Sequence, residues 1–526
     1  MAQPCHGGAP TGAMGHHVMD GLPSWAMWLA LTAALVLSLW GLLRGAGWFG
    51  SERVLRWDLT AWRPLRRALA WRPLQFVVQV PLVAILVLIL WAGFDGTPVP
   101  ERNIATVLTW SVWWTLLIID IVLLGRLWCL VCPWEAVAAW LRRLAFWRRS
   151  DEPLALDWKW PRWLRNVYPA TLLFIGLTWL ELGYGVTMSP RATAALGLLM
   201  VLLAVVPALF FERRSFCKYG CLIGRVVGIY SMIAPIEVRP RDQSVCHSCE
   251  TKDCLQGNEN GYPCPTGLCV GTLSSNTYCT VCTECFKTCP HDNVALRARP
   301  WCADLHTVRK PRRDEAMLAL VLVSMTSFHG LTMTPTWTKL QGAVMREAGL
   351  SPLASFSLLM VAILVLPVAL YLAANWLIGR LGATSDRGPA DRLWWHAGIY
   401  AYPLVAVALM YHLAHNAGHF LSEVAAVVPV LSDPFGSGAD LFGTAGFVPK
   451  PLVSMPVVWG FMILLVLIGH HWAVRALERA HRSYAERRGR TRLPLRQRFV
   501  VTLLPLAVTA ANLWLLAQPM EMRTGM

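Results

Sequence analysis

The sequence predicts an all-α polytopic membrane protein with about ten transmembrane helices, interrupted by one small α+β domain. The 526-residue chain is 55% hydrophobic and contains 27 tryptophans, and its mean hydropathy is positive, a combination that is unusual for soluble proteins. Long apolar segments recur along it, each close to the roughly 20 residues that cross a bilayer. One hydrophilic stretch, Pro235 to Pro311, separates two groups of these segments and is rich in Cys, Asn, Gly and Thr.

The predicted spans divide the chain into four regions. Residues 1–24 form an outer-face tail, 25–234 carry spans one to five, 235–311 form the inserted domain, and 312–526 carry spans six to ten. The predicted spans are Trp25–Leu43, Leu74–Gly93, Ile104–Leu124, Val167–Val186, Ala192–Phe211, Glu315–Met333, Leu353–Ile378, Trp394–Tyr411, Val453–Trp472 and Val500–Leu516.

Basic residues alternate from loop to loop. Arginine-rich loops follow spans one, three, five, seven and nine, whereas the loops between them are poor in Lys and Arg. The positive-inside rule then predicts that the inserted domain is cytoplasmic and that both termini face outward. No charged region precedes the first apolar run, so we expect that span to insert uncleaved.

The net charge of +16 comes from the arginine-rich loops. Because these loops form a band rather than a patch, we expect no nucleic-acid partner.

The most specific motif is the run Cys279, Cys282, Cys285 and Cys289, followed by Pro290. These spacings, closed by proline, are the bacterial ferredoxin pattern for a cubane iron–sulfur cluster. In two-cluster ferredoxins the fourth cysteine of such a run ligates the other cluster, so a second set is expected nearby. Disulfides or a zinc knuckle are disfavoured because either would need two coincidences at once, and disulfides also because the domain is expected to face a reducing compartment. We therefore predict a ferredoxin-like domain with two [4Fe–4S] clusters.

A second, less regular set of cysteines precedes this run. Four residues separate Cys249 from Cys254, and nine separate Cys254 from Cys264. Cys264 is followed by proline, and Cys269 is its competitor as a ligand. Cys302 and Cys5 have no matching partners and are predicted to be ordinary thiols. The crossing rule assigns one cluster to Cys246, Cys249, Cys254 and Cys289, and the other to Cys279, Cys282, Cys285 and Cys264.

Two further cysteine pairs follow spans three and five, at the predicted cytoplasmic face. They are Cys129 with Cys132 and Cys217 with Cys221. Each pair follows a basic and an aromatic residue and precedes a new apolar run, which indicates that spans two to five duplicate a two-helix unit. A close cysteine pair at a helix end can be a redox dithiol, half of a metal site, or part of the packing. The sequence leaves these three uses open.

The order of two cysteine pairs and then two ferredoxin runs, interleaved with membrane helices, resembles the membrane polyferredoxins that accompany periplasmic nitrate reductase and nitrous-oxide reductase. It is also similar to the ferredoxin-type accessory protein of cytochrome oxidase assembly. In these relatives the pairs are typically Cys-x-x-x-Cys-Pro, whereas here the first pair is shortened and Leu222 replaces the second proline. The resemblance covers about Leu74 to Pro311. It implies a multi-pass protein of the bacterial inner membrane that exchanges electrons with the quinone pool or a respiratory partner protein.

Spans six to ten contain histidines in apolar surroundings, and ionisable groups at membrane depth often mark functional sites. These imidazoles could be axial ligands of b-type haem, or form a quinone or proton site, or serve no cofactor. At about 100° per residue, His396 and His412 point to nearly opposite sides of one helix, whereas His412, His415 and His419 share one face. The candidates are His329, His396, His412, His415, His419, His470 and His471.

The N-terminal tail contains soft ligands suited to copper. A tail of this length is more often disordered, so a copper site is one alternative among others. The candidate ligands are Cys5, His6, Met14, His16, His17 and Met19.

Together these patterns predict a membrane electron-transfer protein that connects cytoplasm-facing clusters to the quinone pool or to an outer-face respiratory enzyme. We identify no residues for bond-making catalysis. The alternative is an assembly factor that reduces copper or another metal for a respiratory oxidase or reductase. A transporter is disfavoured because, apart from the histidines, Asp120 and Glu181 are the main ionisable residues in the spans.

Overall fold

The structure, a computed structural model, describes residues 18–44, 56–146, 152–306, 311–381, 389–486 and 494–521. Most of these residues are helical. The helices are α1 (Ser24–Arg44), α2 (Arg63–Ala70), α3 (Leu74–Asp95), α4 (Ile104–Thr106), α5 (Trp114–Leu124), α6 (Leu127–Val131), α7 (Pro133–Arg143), α8 (Tyr168–Gly183), α9 (Pro190–Phe210), α10 (Leu222–Tyr230), α11 (Gln243–Ser248), α12 (Asp253–Gln256), α13 (Glu284–Thr288), α14 (Arg313–Thr332), α15 (Pro335–Ala348), α16 (Pro352–Leu381), α17 (Pro389–Glu423), α18 (Val427–Ser432), α19 (Met455–Glu486) and α20 (Leu495–Leu516). The strands are β1 (Val18–Met19), β2 (Trp57–Asp58), β3 (Ile236–Pro240), β4 (Val294–Ala298) and β5 (Met520–Glu521).

Nine helical segments in the described part of the chain are long and apolar enough to cross a membrane. They match nine of the predicted spans, which confirms a multi-pass, mainly helical fold. The fourth predicted span, Val167–Val186, contains α8, which has only 16 residues. At about 1.5 Å per residue it covers roughly 24 Å, somewhat less than the hydrocarbon core of about 30 Å.

The two ends of the described chain meet. Strand β1 pairs antiparallel with β5, with Val18 opposite Glu521 and Met19 opposite Met520. The chain therefore enters α1 and leaves α20 at the same end of the helical bundle. Such a chain needs an even number of crossings, so α8 is the candidate for the tenth span.

Two spans are longer than the hydropathy pattern predicts. Helix α17 continues beyond Tyr411 to Glu423, and α19 continues beyond Trp472 to Glu486. In the candidate span Leu393–Ser432, which covers most of α17, 94% of an apolar 18-residue stretch is buried, and α17 packs against α14 and α19. It is therefore a central helix of the bundle, where protein neighbours rather than lipid surround its polar residues.

The helices do not pack in strict chain order. Helix α1 packs against α19 and α20, so the first span lies with the C-terminal helices. On the other side of the bundle, α3 packs against α7 and α9, and α8 packs against α10. This second group carries the two predicted duplicated units.

Local sequence signals fix the starts of the helices in this group. The Ser189 hydroxyl accepts a hydrogen bond from the Ala192 amide at the start of α9, and Pro190 is its first helical residue. Asn103 caps α4 in the same way through the Ala105 amide. Two π-helical turns interrupt the regular geometry, Val107–Trp113 between α4 and α5 and Phe216–Gly220 before α10.

The inserted segment begins and ends with antiparallel strands. Strand β3 pairs with β4, from Ile236 opposite Ala298 to Pro240 opposite Val294, and β2 adds to the other edge of β4. The short helices α11, α12 and α13 lie between these strands in the chain. Strands and short helices thus make this segment a mixed α+β unit.

A buried arginine attaches this unit to the membrane helices. Arg299 follows β4 and donates hydrogen bonds to Glu237 at 3.1 Å and to Asp304 at 3.0 Å. It also donates to the carbonyl oxygen of Ala234 at 3.1 Å, just beyond α10. The guanidinium side chain is completely buried, so its charge needs the compensation that these carboxylates supply. The network fixes where the cysteine-rich unit sits against the helical bundle.

Candidate functional site

Two cysteine-lined cavities lie side by side in the inserted unit. Cys254 lines both of them. The other cysteines of cavity I are Cys246, Cys249, Cys269 and Cys289, and those of cavity II are Cys264, Cys279, Cys282 and Cys285. The structure thus groups the cysteines as the crossing rule does, with Cys289 and Cys264 each beside the other run. It places Cys269 in cavity I, where it competes with Cys254 rather than with Cys264.

The backbone around these cysteines adopts left-handed conformations that non-glycine residues rarely take. Val281 and Thr283, on either side of Cys282, have φ values of 52° and 66°. Lys252, two residues before Cys254, has φ of 49°. Strained backbone of this kind concentrates at functional sites, where the surrounding fold enforces it.

Hydrogen-bond donors are directed at the sulfur atoms. The Asn293 amide donates to Cys289 Sγ and its side chain to Cys246 Sγ, both at 3.4 Å. The Leu268 amide donates to Cys264 Sγ at 3.3 Å. The backbone amides of Val270, Val281 and Glu284 likewise donate to the thiols of Cys254, Cys279 and Cys282. Sulfur that accepts several N–H groups is stabilised as thiolate.

Both cavities lie against an apolar core. Val238, Val270 and Val294 form a small buried core against them, and the buried hydroxyls of Thr280 and Thr283 in cavity II have no hydrogen-bond partner among the described residues. Burial raises the pKa of the Cys279 and Cys285 thiols above their ordinary value. Thiolates there therefore need a bound cation, and metal binding would displace their protons.

The donor set of each cavity fits a cubane cluster, which takes four cysteine thiolates. Among the residues that the structure describes, no three His, Cys, Asp or Glu side chains are arranged to hold a single metal ion.

The two membrane-edge cysteine pairs lie beside each other. Arg126, which precedes Cys129 and Cys132, donates to Cys129 Sγ at 3.5 Å and to the Gly224 carbonyl oxygen at 2.9 Å, and the Gly224 amide donates to Cys221 Sγ at 3.2 Å. Burial, and after it the charges of neighbouring thiols, raises the pKa of Cys132 and Cys217. We call Cys129, Cys132, Cys217 and Cys221 the thiol tetrad. Burial raises the pKa of the Cys221 thiol to about 11. The sequence placed both pairs at one membrane face, and the structure brings them together.

Two buried arginines connect the tetrad to the inserted unit. Arg126 donates to Cys129 Sγ at 3.5 Å and to the carbonyl oxygen of Thr277 at 2.8 Å. Arg225 donates to the same carbonyl at 2.9 Å. Both side chains are about 1% exposed. Thr277 lies two residues before Cys279, so one carbonyl group joins the tetrad to the wall of cavity II.

A large apolar cavity of about 420 Å³ lies on the membrane side of the tetrad. Its lining includes Trp128, Pro133 and Leu222, each a neighbour in sequence of a tetrad cysteine, and the carboxyl groups of Asp120 and Glu181. Other lining residues are Ile85, Leu86, Trp110, Trp113, Trp114, Leu116, Trp134, Phe174 and Thr178. Ile85 and Leu116 are 41% and 47% exposed on the bundle surface, so the cavity reaches the lipid-facing side.

Sequence reasoning missed this cavity and Arg225. The available signals were the two carboxyl residues inside predicted spans and the tryptophans of span three. Neither signal reveals a cavity without knowledge of how α3, α5, α8 and α9 pack. The basic residue before each cysteine pair, Arg126 and Arg214, was visible in the sequence.

The histidines of the C-terminal half form separate groups. The His415 ring lies 5.8 Å from that of His329 and 4.9 Å from that of His419, and His419 Nδ1 is 2.8 Å from a Glu423 carboxylate oxygen. His412 lies instead beside Trp114, with 5.8 Å between the ring centroids. All three residues predicted to share one face, His412, His415 and His419, lie on α17, and the rings of the last two are in contact.

The remaining histidines are dispersed. Both ring nitrogens of His470 make 2.9 Å hydrogen bonds, to the hydroxyls of Ser38 and Thr509, which occupies the atoms that a haem iron would need. His396 lies beside Tyr400, and His471 is half-buried. The described residues therefore give no support to a haem ligand pair that includes His470.

The predicted copper ligands of the N-terminal tail lie largely outside the described residues, namely Cys5, His6, Met14, His16 and His17. Met19 is in β1, where it is buried and its sulfur accepts a hydrogen bond from Ser422 at 3.8 Å. Cys302 is buried in the main hydrophobic core.

Comparison with known proteins gives one informative similarity. No protein-family model and no solved structure matches the chain. The chain is similar to the methylamine utilization ferredoxin-type protein MauN of Paracoccus denitrificans, with 29% identity over 171 residues, which are 31% of this chain and 56% of the relative. The chain thus spans about half the length of this relative. Together with the cysteine-lined cavities, the similarity supports a ferredoxin-type membrane protein.

Proposed function

We propose that this chain is a membrane electron-transfer protein whose inserted unit holds two [4Fe–4S] clusters. The observation that carries the proposal is the pair of adjoining cysteine cavities at one end of a helical bundle. The ligands of cluster I are Cys246, Cys249, Cys254 and Cys289, and those of cluster II are Cys264, Cys279, Cys282 and Cys285. Bound clusters of this type supply one-electron transfer.

The protein's part is to position the clusters and tune their potential. The N–H groups that point at the sulfur atoms of Cys289, Cys246 and Cys264 favour the more negative reduced state. The buried valines of the unit exclude water and favour the less charged oxidised state. The balance of these two effects sets the reduction potential.

The lipid-soluble partner in this proposal is a quinone, which exchanges two electrons and two protons. The apolar cavity beside the tetrad has a volume in the range of small-molecule sites and reaches the lipid-facing surface. Asp120 in its wall accepts a hydrogen bond from the Trp128 amide at 3.0 Å, which holds its carboxyl group in place to accept or donate a proton. This location replaces the histidine groups as our candidate quinone site.

We also propose that the inserted unit faces the cytoplasm of a bacterium and that both termini face outward, across the inner membrane. The arginine-rich loops support this orientation. The shared location of β1 and β5 supports termini on one side. An outer-face respiratory enzyme is then the partner for electrons that cross the membrane.

The experiment is anaerobic reduction of the purified protein by a short-chain quinol, followed by electron paramagnetic resonance. We expect quinol to reduce the clusters, and Asp120→Asn to slow this reduction severalfold while the dithionite-reduced spectrum stays unchanged. Asp95→Asn, at the exposed end of α3, is the matched control and should behave like the wild type. Clusters that never react with quinol but are readily oxidised by copper(II) would instead establish the metal-reducing assembly role.

A further inference from the structure

We propose that the thiol tetrad, Cys129, Cys132, Cys217 and Cys221, holds a third iron–sulfur cluster between the membrane cavity and cluster II. The role of this cluster rests on the proposed function. The evidence for the cluster itself is the geometry of the tetrad and the charges around it.

The two halves of the tetrad are structurally equivalent. Cys132 and Cys221 each cap the helix that follows, α7 and α10, with φ and ψ of −56° and 117° for Cys132 and −66° and 114° for Cys221. The Cys221 sulfur accepts a hydrogen bond from the Gly224 amide at 3.2 Å, three residues further along the chain, whereas the Cys132 side chain makes no cap hydrogen bond. Both thiols still lie at a helix N-terminus, where negative charge is favoured.

The other two cysteines complete the set from the preceding turns. Cys129 lies in the short helix α6, and Cys217 lies in the π-helical turn Phe216–Gly220. Single π-helical turns recur at functional sites. Two loops of the duplicated unit thus supply two thiols each, and Arg126 links the loops by donating both to Cys129 Sγ and to the Gly224 carbonyl oxygen.

The charge around the tetrad suits an anionic centre. Arg126 contacts Cys129 Sγ, and Arg225 interacts electrostatically with Cys129 and Cys221. The buried Nε–H groups of both arginines have no hydrogen-bond partner among the described residues. An arginine nearly fully buried beside uncharged thiols is costly, whereas beside a cluster held by thiolates its charge is compensated.

The tetrad also lies where an intermediate electron carrier is needed. Residues next to Cys129, Cys132 and Cys221 line the apolar cavity. On the other side, a small cavity that several charged side chains line touches both Cys217 and Cys264. Arg214 pairs with Glu135 at 2.5 Å and interacts electrostatically with both Cys217 and Cys282. The tetrad therefore adjoins the proposed quinone cavity and the ligands of cluster II at once.

The test is the iron and acid-labile sulfide content of the full chain, purified anaerobically in detergent. We expect about twelve iron atoms per chain, and about eight in the double variant Cys132→Ser/Cys221→Ser. The ferredoxin-type paramagnetic signals should persist in the variant. Cys302→Ser, a buried cysteine outside all three sets, controls for misfolding and should retain about twelve.

The possible results separate this inference from the proposed function. About eight iron atoms in both wild type and double variant would overturn the third cluster and leave clusters I and II standing. About four iron atoms, lost in the double variant, would support the tetrad cluster and overturn the proposed ferredoxin clusters. Stoichiometric zinc lost in the double variant, or a disulfide within the tetrad in place of iron, would also overturn the inference.

Discussion

Replacement of Gly271 by alanine should selectively damage cluster I. A Cβ atom at Gly271 would lie 2.6 Å from Cys246 Cβ and 3.4 Å from its Sγ, whereas carbon atoms in contact prefer about 3.5–4.0 Å. The overlap of roughly 1 Å must be relieved by moving Cys246, a proposed ligand, or the backbone of Val270–Thr272. Overpacking of this kind costs about 1–3 kcal/mol. If the cost falls on the cluster-bound state, cluster affinity decreases about 5- to 150-fold.

The assay is electron paramagnetic resonance of the dithionite-reduced protein together with iron quantification. We expect the Gly271→Ala variant to lose the cluster I signal and the magnetic coupling between clusters, while the cluster II signal remains. Gly446→Ala is the matched control, because nothing lies within 4 Å of a Cβ atom there. A Gly271→Ala protein with both signals at wild-type intensity would refute the placement of Cys246 in cavity I.

Three further predictions follow from the inserted unit. Arg299→Ala removes the closest partner of the buried carboxylates of Glu237 and Asp304, although Arg239 stays 3.5 Å from both. It should cost about 3 kcal/mol of stability, the lower end of the range for breaking a buried ion pair, and thermal unfolding in detergent measures this loss. Arg482→Ala, which breaks an exposed pair with Glu486, should cost less than about 1 kcal/mol. Burial and the nearby Arg479 lower the pKa of His306 from 6.5 to about 3. The unfolded chain therefore binds the proton that the folded chain excludes, and stability should fall as pH drops from about 6.5 towards 3, a slope that His306→Gln should flatten. Cys254→Ser should abolish the cluster I signal and Cys269→Ser should preserve it; the reverse result would make Cys269 the ligand.

Hydropathy predicted the membrane helices well where they face lipid. The predicted third span, Ile104–Leu124, has the observed bounds, because Asn103 caps its start and Gly125, at φ of 79°, ends it. The ends of α17 and α19 were underestimated because their last turns carry polar residues, buried in α17 (His419 and Glu423) and partly exposed in α19 (Arg482 and Glu486). A window of apolar residues detects the part of a helix that contacts lipid. It does not show where the helix ends.

The cysteine spacing predicted which cysteines lie together in the inserted unit, because the local run and the proline constrain short-range geometry. That these cysteines bind clusters stays a prediction. The spacing did not predict that Cys269 enters cavity I, since that depends on the path of the chain between Cys254 and Cys279. The sequence also could not predict that the two cysteine pairs of the tetrad lie together. Cys132 and Cys221 are brought together by the packing of α3, α7 and α9, which no local pattern encodes.

The histidines also show that contacts between distant helices cannot be predicted from the local sequence. Helical periodicity placed His415 and His419 on one face, and their rings are adjacent. The partner of His470 is Ser38, which lies in the first span, and α1 packs against the C-terminal helices only in the folded bundle. A ligand role for His470 could therefore not be judged from its own helix.

The most direct test of the central claim is the acid-labile sulfide and low-temperature paramagnetic spectrum of the anaerobically purified full chain. Two [4Fe–4S] clusters in the inserted unit predict at least about eight sulfides per chain and two interacting cubane signals after reduction. The variant Cys282→Ala should remove the cluster II signal alone. A protein that folds in detergent and contains no labile sulfide would contradict the account.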